Sequence, residues 1–193
     1  NVMAMMPHPE RTLGGETDEL FEQMKKYVES DDAFSYKALS YKSKKINIKK
    51  FVSPPEKIEL LISTIIADNE AVSVQKCINK LGVDIEIKKY VHYEIGAENE
   101  LDIEKVIATD VLFNPSKEYV ANIKGGSKKR RFLVRSVDDV HGTRTLQTLR
   151  GRFGFTEIVS IKRGVVWEVD INSNVSKKDV DLILNSHIFA NPI

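Results

Sequence analysis

The second half of the chain is one pattern written twice. A tandem repeat constrains the architecture before any single element is assigned. Leu81-Gly82-Val83 recurs as Phe153-Gly154-Phe155 at an offset of 72, Tyr93-Glu94-Ile95 as Trp167-Glu168-Val169 at 74, and Asn114-Pro115 as Asn191-Pro192 at 77. The landmarks come in the same order on the same kinds of element, and the growing offset places small insertions in the loops of the second copy. Each copy, at roughly 65 residues, buries only a modest core by itself. Two copies on a short joint have a high effective concentration for one another. They are expected to pair, face to face or edge to edge, as a pseudo-dimer.

Hydrophobic periodicity gives the elements of each copy. In the first copy, residues 57–123, Ile58–Ile66 reads as a strand. Asp68–Leu81 reads as a helix with Ala71, Val74, Ile78 and Leu81 on one face. Gly82 ends it in the left-handed conformation common after helices. Ile85–Val91 and Tyr93–Ala97 read as two strands of a hairpin. Asp102–Phe113 reads as a helix stopped by Asn114-Pro115, and Glu118–Ile123 as a last strand. The second copy, residues 131–193, repeats this. Its strand is Phe132–Val137, its helix Thr143–Phe153 ends at Gly154, and its next strands are Glu157–Lys162 and Val165–Ile171. A helix capped by Ser176 then runs to about Phe189, and the final strand is missing. The fold class is α+β: two tandem β-α-β-β-α-β units with antiparallel sheets.

Ahead of the repeats, residues 1–30 read as a strand, Val2–Met6, a proline-braced turn, and a helix near Thr17–Glu29. That helix has Thr17 as its cap and Leu20, Phe21, Met24 and Val28 on one face. Residues 31–56 read as a flexible, solvated linker with six lysines between Lys37 and Lys50, ending in Ser53-Pro54-Pro55. Residues 124–130 form a second, glycine-containing joint. Its cations Lys124, Lys128, Lys129 and Arg130, with Arg131, read as a solubilising cluster.

Overall charge gives no reason to expect some partners. Lys+Arg is 29 against Asp+Glu at 28, a net charge of +1, so neither a nucleic acid nor a membrane is expected. One cysteine, Cys77, permits no internal disulfide and no cysteine metal cluster. It reads as a buried or half-buried structural thiol, and the chain as cytoplasmic. His92, His141 and His187 have no second ligand at metal spacing and read as surface or loop histidines. There is no Gly-Lys-Ser/Thr phosphate loop and no Gly-x-Gly-x-x-Gly.

His8 and Glu10 differ, because an imidazole two residues from a carboxylate on a braced turn can be oriented to deprotonate a nucleophile. Met6-Pro7-His8-Pro9-Glu10-Arg11, after the apolar Val2–Met5, resembles the C-terminal end of class I glutamine amidotransferases. It is most similar to PurQ, the glutaminase subunit of phosphoribosylformylglycinamidine synthase. The resemblance implies that His8 is the general base and Glu10 its orienting carboxylate, in a triad whose cysteine nucleophile is absent here.

The second copy is similar to PurS, the small subunit of the same synthase. The similarity runs through Arg131-Phe132-Leu133-Val134-Arg135, Asp139-Val140-His141-Gly142-Thr143, Gly154, Val159–Gly164 and Phe189-Ala190-Asn191-Pro192. The first copy is similar and more diverged: it has Ile65–Asn69 where the family has a glycine-containing loop. The resemblance implies a non-catalytic assembly component that bridges a PurL-type synthetase and a PurQ-type glutaminase. ATP, Mg and glutamine would be used by the full complex, with no cofactor in this chain. It also implies a piece of a longer fused polypeptide, inactive alone. Two rivals are a small-molecule-binding regulatory repeat module and a nucleic-acid binder acting through the lysine-rich segments.

Overall fold

The computed structural model describes residues 18–30, 44–123, 129–170 and 175–191, and the chain divides into two units, 1–42 and 43–193. In the first unit α1 (Asp18–Glu29) is a helix with an exposed Lys25–Glu29 pair at 3.9 Å. Phe21 and Val28, expected on an apolar face, are exposed. Thr17, the Val2–Met6 strand and both His8 and Glu10 lie outside the described residues.

The second unit carries β1 (Lys57–Thr64), α2 (Asn69–Lys80), β2 (Glu86–Ala97), α3 (Ile103–Ile107), β3 (Glu118–Val120), β4 (Lys129–Val134), α4 (Val140–Phe153), β5 (Ile158–Asp170) and α5 (Lys177–Asn185). The strands form one antiparallel sheet in the order β3-β1-β2-β5-β4. The α+β class stands.

The two expected hairpins do not form. Each is one long strand, β2 of 12 residues and β5 of 13. A hairpin needs turn residues with positive φ. His92 offers none, and Gly164 runs straight through the ladder opposite it. Each copy is therefore β-α-β-α, followed in the first copy by β3.

The helix ends follow local chemistry. Asp68, Asp102, Asp139 and Ser176 cap α2, α3, α4 and α5, the last as a reciprocal capping box. Gly82 and Gly154 are left-handed, with φ of 87° and 79°. The helices α3 and α5 are shorter than their apolar periodicity suggests. Thr109 Oγ1 turns back to Val106 O at 2.7 Å, and Ser186 Oγ to Ile183 O at 2.6 Å. Such hydroxyls compete with the helix ladder. The next residues, Asp110 and His187, then go left-handed, with φ of 56° and 59°. Strand β4 begins at Lys129, earlier than expected, so two residues of the presumed joint lie in the sheet.

Two apolar clusters form the core. One takes Ala71 and Ile78 from α2 and Val180, Ile183 and Leu184 from α5, against Ile87, Trp167 and Val169. The other takes Val106 from α3 and Leu149 from α4, against Leu60, Ile62, Tyr93, Ile95 and Ile161. Apart from Ile158, which lies past the register shift at Gly96/Ala97, the strand residues involved share one parity in each strand, so both clusters line the same face of the sheet. Each cluster draws helices from both halves of the repeat.

Candidate functional site

The other face of the sheet carries the alternate residues: Lys57 and Glu59 of β1, Tyr90, His92 and Glu94 of β2, Lys162, Gly164, Val166 and Glu168 of β5, and Lys129, Arg131 and Leu133 of β4. Tyr90, His92, Glu94, Val166 and Glu168 are all buried there. Two carboxylates buried to 3% exposure need partners, since an unpaired buried charge is strongly destabilising.

Both have them. Glu94 accepts from Lys57 Nζ at 2.9 Å and from Arg135 Nη2 at 2.7 Å, with Lys162 Nζ at 4.0 Å. Glu168 accepts from Lys129 Nζ at 2.9 Å and from Arg131 Nε at 2.7 Å. Burial pushes the Glu94 carboxyl up, but the hydrogen bonds from Arg135 and Lys57 outweigh it and hold the group down at about 2. Glu168 is likewise raised by burial and lowered further by Arg131 and Lys129, for a net decrease. Two of the cations read as a solubilising cluster, Lys129 and Arg131, thus serve as counter-ions to the buried Glu168.

Gly164 sets the reach of Arg135. A Cβ on Gly164 would lie 2.8 Å from Val134 O and 3.0 Å from Arg135 Cγ. Without it, Arg135 extends over the backbone to Glu94, two strands away. Its guanidinium stacks on Phe51, 5.1 Å from the ring centroid, and Phe51 stands edge-on to His92 at 5.9 Å. Residues 44–56 have no helix or strand, yet Phe51 anchors them to the sheet, and His187 Nε2 donates to Lys44 O at 2.9 Å.

His92 is the larger correction. Expected at the surface, it is 3% exposed, with Nε2 2.9 Å from Glu59 Oε1. Its Nδ1 and Arg135 Nε are buried without a hydrogen-bond partner. A carboxylate-held imidazole can take a proton from a nucleophile, but Cys77 is exposed on α2, against the opposite face of the sheet. Its reading as a buried thiol fails as well. His141 is exposed in the first turn of α4.

Near the start of α4, Val137, Asp138, Asp139, Val140, Thr143, Arg144 and Gln147 line an open concavity of about 460 Å³. Asp139 is already engaged: it accepts from Gly142 N at 2.7 Å and from Arg163 N. Among the described residues no group of three His, Cys, Asp or Glu is placed to hold a metal, and no helix is long and apolar enough to cross a membrane. His8 and Glu10, the two residues singled out for catalysis, lie outside the described residues.

The sheet face therefore combines two buried carboxylates, each held by half-exposed cations, with a buried His92 held by the half-exposed Glu59. No protein-family model matches the chain, and no curated protein matches it.

Proposed function

We propose that the chain is a non-catalytic assembly component of a phosphoribosylformylglycinamidine synthase, in which two tandem PurS-like units pair as a pseudo-dimer. The dimer bridges a PurQ-type glutaminase and a PurL-type, ATP-dependent synthetase, so that ammonia passes between them.

The observation that carries this reading is the way the halves interlock. Val91 pairs with Val165, its own counterpart at the repeat offset of 74. Around that point each residue of β2 faces the counterpart of its mirror position. Glu94 faces Lys162, and Lys88 faces Glu168. Lys57 and Lys129 reach these two glutamates identically, each at 2.9 Å. The core clusters cross over in the same way, α2 with α5 and α3 with α4. A pseudo-two-fold of this kind makes one rigid body from two small units, as a bridging subunit requires. The PurS and PurQ resemblances supply the identity of the partners.

Sedimentation tests the bridge. The chain is mixed with a PurL-type and a PurQ-type subunit, and the expected result is a ternary species absent from any binary mixture. Three independent boundaries at micromolar concentrations, together with a thermal shift on adding a purine-pathway metabolite, would favour the ligand-binding rival, because a ligand that binds only the native state raises its stability.

A further inference from the structure

We propose that residues 44–56 form a proton-operated strap: Phe51 holds it on the sheet while His92 is neutral, and it is released when His92 takes up a proton. Such a strap would operate with or without the partners proposed above.

Phe51 stands edge-on to His92, with ring centroids 5.9 Å apart, and carries the Arg135 guanidinium at 5.1 Å. Nearer its start the strap is tied by Lys44 O, which accepts from His187 Nε2 at 2.9 Å. Protonation of His187 leaves that donor in place. His92 has no such latitude. It is 3% exposed, and Glu59 Oε1 lies 2.9 Å from its Nε2. A carboxylate only accepts, so Nε2 carries the hydrogen and the neutral ring leaves a bare lone pair at Nδ1. Among the described residues nothing bonds to that nitrogen.

A proton on Nδ1 turns the idle lone pair into a buried, charged donor without an acceptor, which is far more costly. Glu59 gains an ion pair in the same step, so the ring has reason to take the proton. On this side of the sheet the neighbouring charged and titratable groups are Lys57 and Glu59 from β1, Tyr90 and Glu94 from β2, Lys162 from β5, and Arg135 beyond β4, with Lys49 and Lys50 beside Phe51. Both carboxylates are engaged, Glu94 by Lys57 and Arg135 and Glu59 by Nε2. Burial pushes the Tyr90 hydroxyl up and Glu94 is held at about 2, so neither changes charge near neutral pH. Arg135, stacked on the same Phe51 ring, adds repulsion. Water can supply the acceptor once Phe51, itself 44% exposed, leaves its place against the imidazole.

The duplication indicates that the sheet does not need this pair. Val166 is the counterpart of His92 at the offset of 74, and Arg131 is that of Glu59 at 72. Val166 is buried too, at 6% exposure. The same place is thus filled by an aliphatic side chain in one copy and, in the other, by an imidazole with one nitrogen left without a partner. Phe51 stands against the imidazole.

The test places para-fluorophenylalanine at position 51 of the full chain and follows its fluorine resonance between about pH 8 and about pH 5, the span in which imidazoles ordinarily change charge. That span lies above the range in which the Glu94 ion pairs fade. The light-to-heavy-water shift of the resonance grows with water contact. It is expected to rise about twofold as the pH falls, since the ring goes from 44% exposure to nearly full contact with water. His92→Val, which copies the residue of the second repeat, should keep the circular dichroism of the native chain and show no such rise. Glu59→Gln, at a half-exposed site, should still respond, but only at lower pH, because the imidazolium loses its carboxylate. No rise in the native chain overturns the proposal. So does a rise that persists in His92→Val, which would assign the response to another group such as His187. A Glu59→Gln response at the same or a higher pH overturns it as well.

Discussion

Val166→Pro is expected to unfold both copies of the repeat in a single transition, not the second alone. Strand β5 is central, paired with β2 on one side and β4 on the other. The alternation that turns Leu61 outward to β3 turns Val166 toward Tyr90 of β2. Proline at that point removes the donor, leaves a buried carbonyl unpaired and forces its ring into the ladder. Together these cost about 3 kcal/mol or more, a large share of a typical margin of about 5–15 kcal/mol. Because each apolar cluster takes helices from both copies, neither half retains a core when β2 and β5 part. Fluorescence of Trp167, the single tryptophan, follows one half, and hydrogen exchange of the β1 amides follows the other. Both should shift together. Val120→Pro, at an edge position whose N–H faces away from β1, should cost under about 1 kcal/mol. If β1 keeps its protection while Trp167 loses its environment in Val166→Pro, the copies are independent domains and the interlocked pairing is wrong.

The second large effect is acid sensitivity. Glu94 is held at about 2 in the folded chain, below the ordinary glutamate value, and Glu168 is lowered as well. A group whose folded value is depressed contributes stability above its unfolded value and loses it as the pH falls through the folded one. The ion pairs are therefore fully effective at neutral pH and fade from about pH 4.5 toward about pH 2. Allowing for solvent around Lys57 and Lys162, Glu94 contributes about 1–2 kcal/mol to this change. Urea unfolding at pH 7 and pH 3 measures it. The Glu94→Gln chain should be weaker at pH 7 and should lose less than the native chain between the two pH values. An equal loss in both chains would show that Glu94 does not carry the pH dependence.

Much of the fold was legible because its determinants are local. Gly82 and Gly154, Ser176 and the spacing of Ala71, Val74 and Ile78 fix helices from neighbouring residues alone. Strand length was not legible. His92 and Gly164 interrupt the apolar alternation, and only the sheet shows that one is a buried partner of Glu59 and the other a gap for Arg135. The short helices had a readable signal, Thr109-Asp110 and Ser186-His187 at the same offset of 77 as the Asn-Pro pairs, but hydroxyl back-bonding has no hydrophobic signature. The ion-pair face was hidden for a different reason. Its partners are 37 to 41 residues apart in sequence, so Lys129 and Arg131 resembled a loop's loose charges.

In the function proposed above, the paired repeats let a synthetase use glutamine. Amidine formation by a PurL-type subunit with a PurQ-type subunit, assayed with glutamine and with ammonia, with and without the chain, tests it most directly. Ammonia is expected to support the reaction in either case, and glutamine only when the chain is present. Glutamine-dependent activity that is unchanged by adding the chain would contradict it.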